Sequence, residues 1–214
     1  MSLLDTWKNK RLARGMALNM DKIYNILEDE SDKLLILLNS VSEKYGNNEK
    51  AFGNVSALVF IRYSLMDIFK LYKLLILERG EAERHVLART LAIHLSEFID
   101  DAGGIVGKKL NILSETLNEE EGVCEKIKMV RIIYHSIREY YPAVLLTRNN
   151  VSAHKDIDIR KQIQHMKELE EIDFDFIMAK IQLFVFLFQK MESVLLAAIA
   201  KVKERKATGS SSIP

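Results

Sequence analysis

The chain has 214 residues, of which 48% are apolar and 29% charged, with 31 basic against 30 acidic side chains. This is an ordinary globular mixture, long enough to bury a core without covalent staples. A net charge of +1 excludes a molecule-wide field for nucleic acid, and the single Cys124 excludes an intramolecular disulfide and a cysteine-rich zinc site.

Two prolines, Pro142 and Pro214, leave room for long helices. Residues 1–18 are mixed in character and carry Gly15, so an N-terminal arm or short helix is expected there, with Arg11 and Arg14 as a small basic edge. From Leu18 to Tyr45, Ile23, Ile26, Leu27, Leu34, Leu37, Leu38 and Val41 recur at helical spacing, and Gly46-Asn47-Asn48 closes the element. A second helix over 54–78 carries Leu58, Ile61, Leu65, Ile68, Phe69, Tyr72, Leu75 and Ile76. Arg79-Gly80 breaks the chain before a third helix over 81–99, with Val86, Leu87, Leu91, His94, Leu95 and Phe98 inward. His94 reads as a hydrogen-bonded histidine at the core or its edge.

Asp101-Ala102-Gly103-Gly104 and Gly107 predict a flexible loop. It lacks the spacing, the following Ser or Thr, and the preceding strand of a phosphate-binding loop. A short helix from 108 to 117 is expected next, then a solvated acidic run from Glu119 to Gly122. A fourth long helix extends from Val123 to about Thr147, with Pro142 kinking or restarting it. Helical spacing resumes over 157–170, and Asp173 is placed to cap a last, broadly apolar helix from Phe174 to about Ile199. That breadth fits a central helix or one whose second face meets another subunit. The expected class is all-α, an antiparallel bundle of four to five long helices. One domain covers 19–203, and a disordered tail covers 204–214. The apolar run at 183–188 is broken before membrane length, so a cytoplasmic protein with no membrane span is expected.

The polar stretch from Thr147 to Asp156 interrupts this pattern. It holds a fixed cation, amides, a hydroxyl, an imidazole and a carboxylate. On one continuous helix Arg148 and His154 stand about 120° apart, and they converge more easily if the helix ends near Arg148 and turns at Asn149-Asn150. Ser152 either caps a following helix or lines the pocket. Arg148 suits phosphate and His154 suits proton transfer near neutrality. The plainer reading is a helix end with positive groups near its carbonyls. Arg131, His135, Arg138 and Glu139 lie on the helix leading in; Arg138 and Glu139 extend the cleft or form a solvated face. Asp156 and Asp158 bind a cation with His154 or, more simply, mark an exposed turn.

Arg148-Asn149-Asn150-Val151-Ser152-Ala153-His154 resembles the Arg–spacer–His motif of HEPN domains, with Asn directly after Arg. Lys155-Asp156 is similar to the flank seen in the abortive-infection and toxin branch of that superfamily. The resemblance implies a metal-independent endoribonuclease without cofactor, working as a homodimer whose two motifs share a cleft. Arg148 and His154 would be its catalytic pair. Asn149, with Asn150 and Ser152, would orient the substrate, and Arg138, Glu139 and Asp156 would support the pair. RNA is then the implied partner, together with a small nucleotidyltransferase-like antitoxin. Two alternatives stand beside it: a noncatalytic RNA- or nucleotide-binding module, and a magnesium-dependent helical nucleotide pyrophosphatase. The paired carboxylate layout of that last class is not convincing in this sequence.

Overall fold

The computed structural model describes residues 3–45, 49–111, 122–152 and 167–209. The protein is all-α, with no strand among those residues. We label the helices α1 (Leu3–Tyr45), α2 (Glu49–Leu77), α3 (Glu81–Gly104), α4 (Val123–Arg138), α5 (Tyr141–Ser152) and α6 (Phe174–Gly209); a π-helical segment, Ile105–Lys109, follows α3. The chain divides into two compact units, Met1–Asp101 with Tyr141–Ile172, and Ala102–Tyr140 with Asp173–Pro214.

In the first unit α1 packs along α2. Lys73 on α2 pairs with Asp21 on α1 at 2.5 Å, and Arg62 pairs with Glu30 at 2.7 Å. One partner number rises as the other falls, so the two helices run antiparallel. The seam between them holds Met20 and Leu27 from α1 and Ile61, Leu65, Ile68, Phe69 and Tyr72 from α2, all essentially without exposure. Each such side chain contributes about 1.5–3 kcal/mol on burial. Arg62 is on the inward stripe too, three residues before Leu65, and its burial is made tolerable by the Glu30 carboxylate. Leu91, Leu95 and Phe98 of α3, Val144 of α5 and Leu169 are buried in the same unit. His85 on α3 reaches Glu170 at 3.6 Å, and His94 is half-buried, as expected for an edge histidine.

The α2–α3 link follows its turn chemistry. Glu78 accepts hydrogen bonds from the N–H groups of Arg79 at 2.7 Å and Gly80 at 2.8 Å. The Gly80 bond first, then that of Arg79, hold this carboxyl below the usual carboxylate range. Glu81 and Glu83 then occupy the first turn of α3, the favourable end of its dipole for negative charge.

In the second unit α4 packs along α6, again antiparallel: Tyr140 meets Phe176 edge-on, and Lys180 donates to the Ser136 carbonyl at 3.2 Å. Ile127, Val130 and Ile137 of α4 bury with Ile177, Met178, Ile181, Phe184, Phe188 and Met191 of α6. Asp173 caps α6 as expected, its Oδ1 accepting from the Phe176 N–H at 2.9 Å. Gly122, at φ 80°, supplies the left-handed residue from which α4 starts.

Several expectations need correction. Residues 3–18 are part of the same helix as 19–45, with Gly15 inside it and open space around it. Within the expected inner stripes, Ile26 and Val86 are exposed. The expected loop at 101–107 is helix: α3 runs through Gly103 and Gly104 and passes into the π segment, because Phe98, Ile99, Ala102, Ile105, Val106 and Leu110 keep an unbroken buried stripe. The kink or restart expected at Pro142 is a restart: the fourth helix is split, with Glu139 and Tyr140 between α4 and α5. Pro142 sits in the first turn of α5, where its missing N–H has no helical acceptor to lose. Finally, α6 continues to Gly209, past the start of the expected tail. The acidic run 119–121 and most of the expected helix over 157–170 lie outside the described residues.

Candidate functional site

The helix α5 carries the Arg148 end of the motif. Tyr141, Val144 and Arg148 fall on one face, since steps of three and four residues bring the helix round to the same side. Val144 anchors that face by being fully buried. Tyr141 and Arg148 flank it and meet one carboxylate on α3: Tyr141 Oη donates to Asp100 Oδ2 at 2.8 Å, and Arg148 Nη1 approaches the same oxygen at 3.4 Å. The Arg148 side chain is 40% exposed and that of Asp100 is 48% exposed. An exposed pair at this separation is worth roughly 0–1 kcal/mol. Asp100 therefore holds the guanidinium at the surface and releases it at little cost.

The turn expected at Asn149-Asn150 is not formed. The backbone of Arg148 through Ser152 is α-helical. With Pro142 opening the helix, these residues are its third turn, and the peptide groups are satisfied along the helix instead of by Asn side chains. Ser152, read as the cap of a following helix or as lining the pocket, is the last described residue of α5. His154 and Asp156 lie outside the described residues, as does Asp158.

Arg138 and Glu139 belong to the second unit. Arg138 is exposed at the last residue of α4, and Glu139 lies 3.8 Å from Lys180. Arg131, on the helix leading in, is half-buried and structural. Its Nε donates to the Val106 carbonyl at 3.1 Å, and Nη2 reaches the Gly107 carbonyl at 3.4 Å and the Asn111 amide oxygen. These carbonyls lie in the π segment, where Leu110 N–H reaches back five residues to the Ile105 carbonyl. Arg131 is thus a cationic cap for the end of that helix.

Asp100 and Tyr141 were not singled out in the sequence. Tyr141 had a readable signal, its seven-residue spacing from Arg148. Asp100 had none, being 48 positions away. Among the described residues no three His, Cys, Asp or Glu side chains form a metal-holding group, and no helix is long and apolar enough to cross a membrane. The chain matches no family model, no curated protein and no solved structure.

Proposed function

We propose that the chain is a HEPN-like, metal-independent endoribonuclease, a toxin or antiviral-defence effector acting in the cytoplasm. The observation that carries this reading is the state of Arg148: a surface guanidinium at the head of the motif, held by an exposed carboxylate that a phosphate can displace. In the reaction His154 takes the proton of an RNA 2′-OH as that oxygen attacks phosphorus. The bond from phosphorus to the 5′-oxygen breaks, leaving a 2′,3′-cyclic phosphate and a 5′-hydroxyl. Arg148 neutralises the charge that builds on the phosphoryl oxygens. Asn149, Asn150 and Ser152 orient the strand. In a homodimer the partner's His154 protonates the leaving oxygen, which supplies the second proton transfer a lone histidine lacks. A nucleotidyltransferase-like antitoxin would restrain such an enzyme.

A second reading has a specific observation in its favour. The backbone from Arg148 to Ser152 is unbroken helix, without the turn expected to bring the pair together, so the guanidinium stands as a phosphate ligand on its own. Under it the chain is a noncatalytic RNA- or nucleotide-binding module.

The deciding experiment uses purified full-length protein with RNAs of varied sequence and fold, in excess chelator. We expect cleavage with cyclic phosphate ends. Arg148→Ala and His154→Ala should each lower the rate by about 100-fold or more, the usual scale for a lost acid–base group or charge clamp, with helical content unchanged. RNA binding without cleavage, lost in Arg148→Ala and retained in His154→Ala, selects the second reading. Neither binding nor cleavage sinks both.

A further inference from the structure

The outward face of α2 is inverted relative to an ordinary surface helix, which turns polar residues to water. Phe60 and Tyr63 are each 45% exposed, Leu74 46% and Leu77 42%. Between them on the same face stand exposed Asp67 and Lys70. The steps from Phe60 through Leu77 alternate three and four residues, the spacing of a coiled-coil seam, over about 26 Å of helix. The large exposed aromatics of α6 are covered differently: Lys180 lies over Phe176 and Lys190 over Phe186.

The order of residue types on α2 names its own partner. When two copies lie antiparallel, with a twofold axis between Asp67 and Lys70, Phe60 meets the partner's Leu77 and Tyr63 meets the partner's Leu74. Asp67 then meets the partner's Lys70, and by symmetry every contact occurs twice. A parallel seam would set Asp67 against Asp67 and Lys70 against Lys70. Opposite charges at the centre and apolar side chains at both ends therefore fit one arrangement only. Where α2 gives way to α3, Leu74, Glu78, Ala82, Glu83, Val86 and Leu87 wall a shallow groove, with Val86 widely exposed. It adjoins Leu77 and offers a seat to the partner's Phe60.

We propose that the outward face of α2 is a homodimer interface, formed by two copies packed antiparallel about Asp67 and Lys70. It goes beyond the ribonuclease reading by naming the face that pairs. It is tested by oligomeric state, so it can fail while RNA cleavage stands.

The test is sedimentation equilibrium on the full chain. Wild type is expected to be a dimer. Asp67→Lys and Lys70→Asp each place like charges opposite one another twice per dimer, and should weaken association by about tenfold or more. The double variant D67K/K70D restores opposite pairing and should return to wild-type association. An equimolar mixture of the two single variants should form heterodimers, which also shows that both are folded. A wild type that stays monomeric at every concentration overturns the proposal. So does a dimer indifferent to both single changes, or a double variant no tighter than the singles.

Discussion

Arg148 has two anions to choose between, the Asp100 carboxylate in the fold and a phosphate in the proposed reaction. Replacing Asp100 by Asn removes the charge and keeps an oxygen for Tyr141 to donate to. If phosphate is the functional partner, Asp100→Asn should tighten RNA binding by up to about fivefold, the scale of an exposed ion pair released from competition. Melting temperature should then move by no more than about 4 °C. A larger loss of stability with unchanged RNA affinity would identify the trio as a strut. This site was half legible from sequence. Arg148 announces itself through its spacing to His154, because a motif is a local property. Asp100 reaches it only through folding, and it stood at the edge of a stretch whose glycines suggested a loop.

At the scale of the helix, those glycines show why the loop expectation failed. Glycine lowers helical propensity, but it also admits close approach. A Cβ on Gly103 would lie 2.7 Å from Tyr134 Oη, while one on Gly104 would meet nothing within 4 Å. Tyr134 is buried, so its ring cannot simply swing into water. Gly103→Ala should therefore lower stability by about 1–3 kcal/mol through overpacking. Gly104→Ala should raise it by about 0.5–1 kcal/mol through helix propensity. Thermal unfolding of the two variants side by side checks the pair, and equal shifts would refute the packing argument. Elements with plain apolar periodicity, α2 and α6 above all, were readable because each inward position repeats every three or four residues. The capping role of Asp173 was readable for the same reason, since a cap acts on its own next turn.

For the molecule as a whole, a charge of +1 limits how RNA can be held. A site built on one Arg148 per copy neutralises few phosphates. The logarithm of RNA affinity should fall with the logarithm of salt concentration at a slope of roughly −0.7 per phosphate contacted, near −1 to −2 in all. Filter binding across a salt series measures this. A slope steeper than about −5 would require a broad basic surface and remove Arg148 from the centre of the reading. The division into two units was not legible at all. Each unit joins two separate stretches of chain, and hydrophobic periodicity reports faces within a helix, not which distant helix covers them.

The π segment after α3 has a consequence for how this helix counts its residues. Its wider turn absorbs one more residue than an α-turn would, without ending the helix. Ile99 and Ala102 before it and Val106 and Leu110 after it are all buried. Were the same residues wound as plain α-helix, everything beyond the segment would be carried round by an extra step, with the later stripe turned away by about 100°. Ile105–Lys109 is thus a register joint, and Arg131, capping its carbonyls from α4, locks the joint at that setting. Loss of a single residue here would let the segment close to a plain α-turn with both stripes kept in place, whereas the same loss elsewhere in α3 would turn everything beyond it by about 100°.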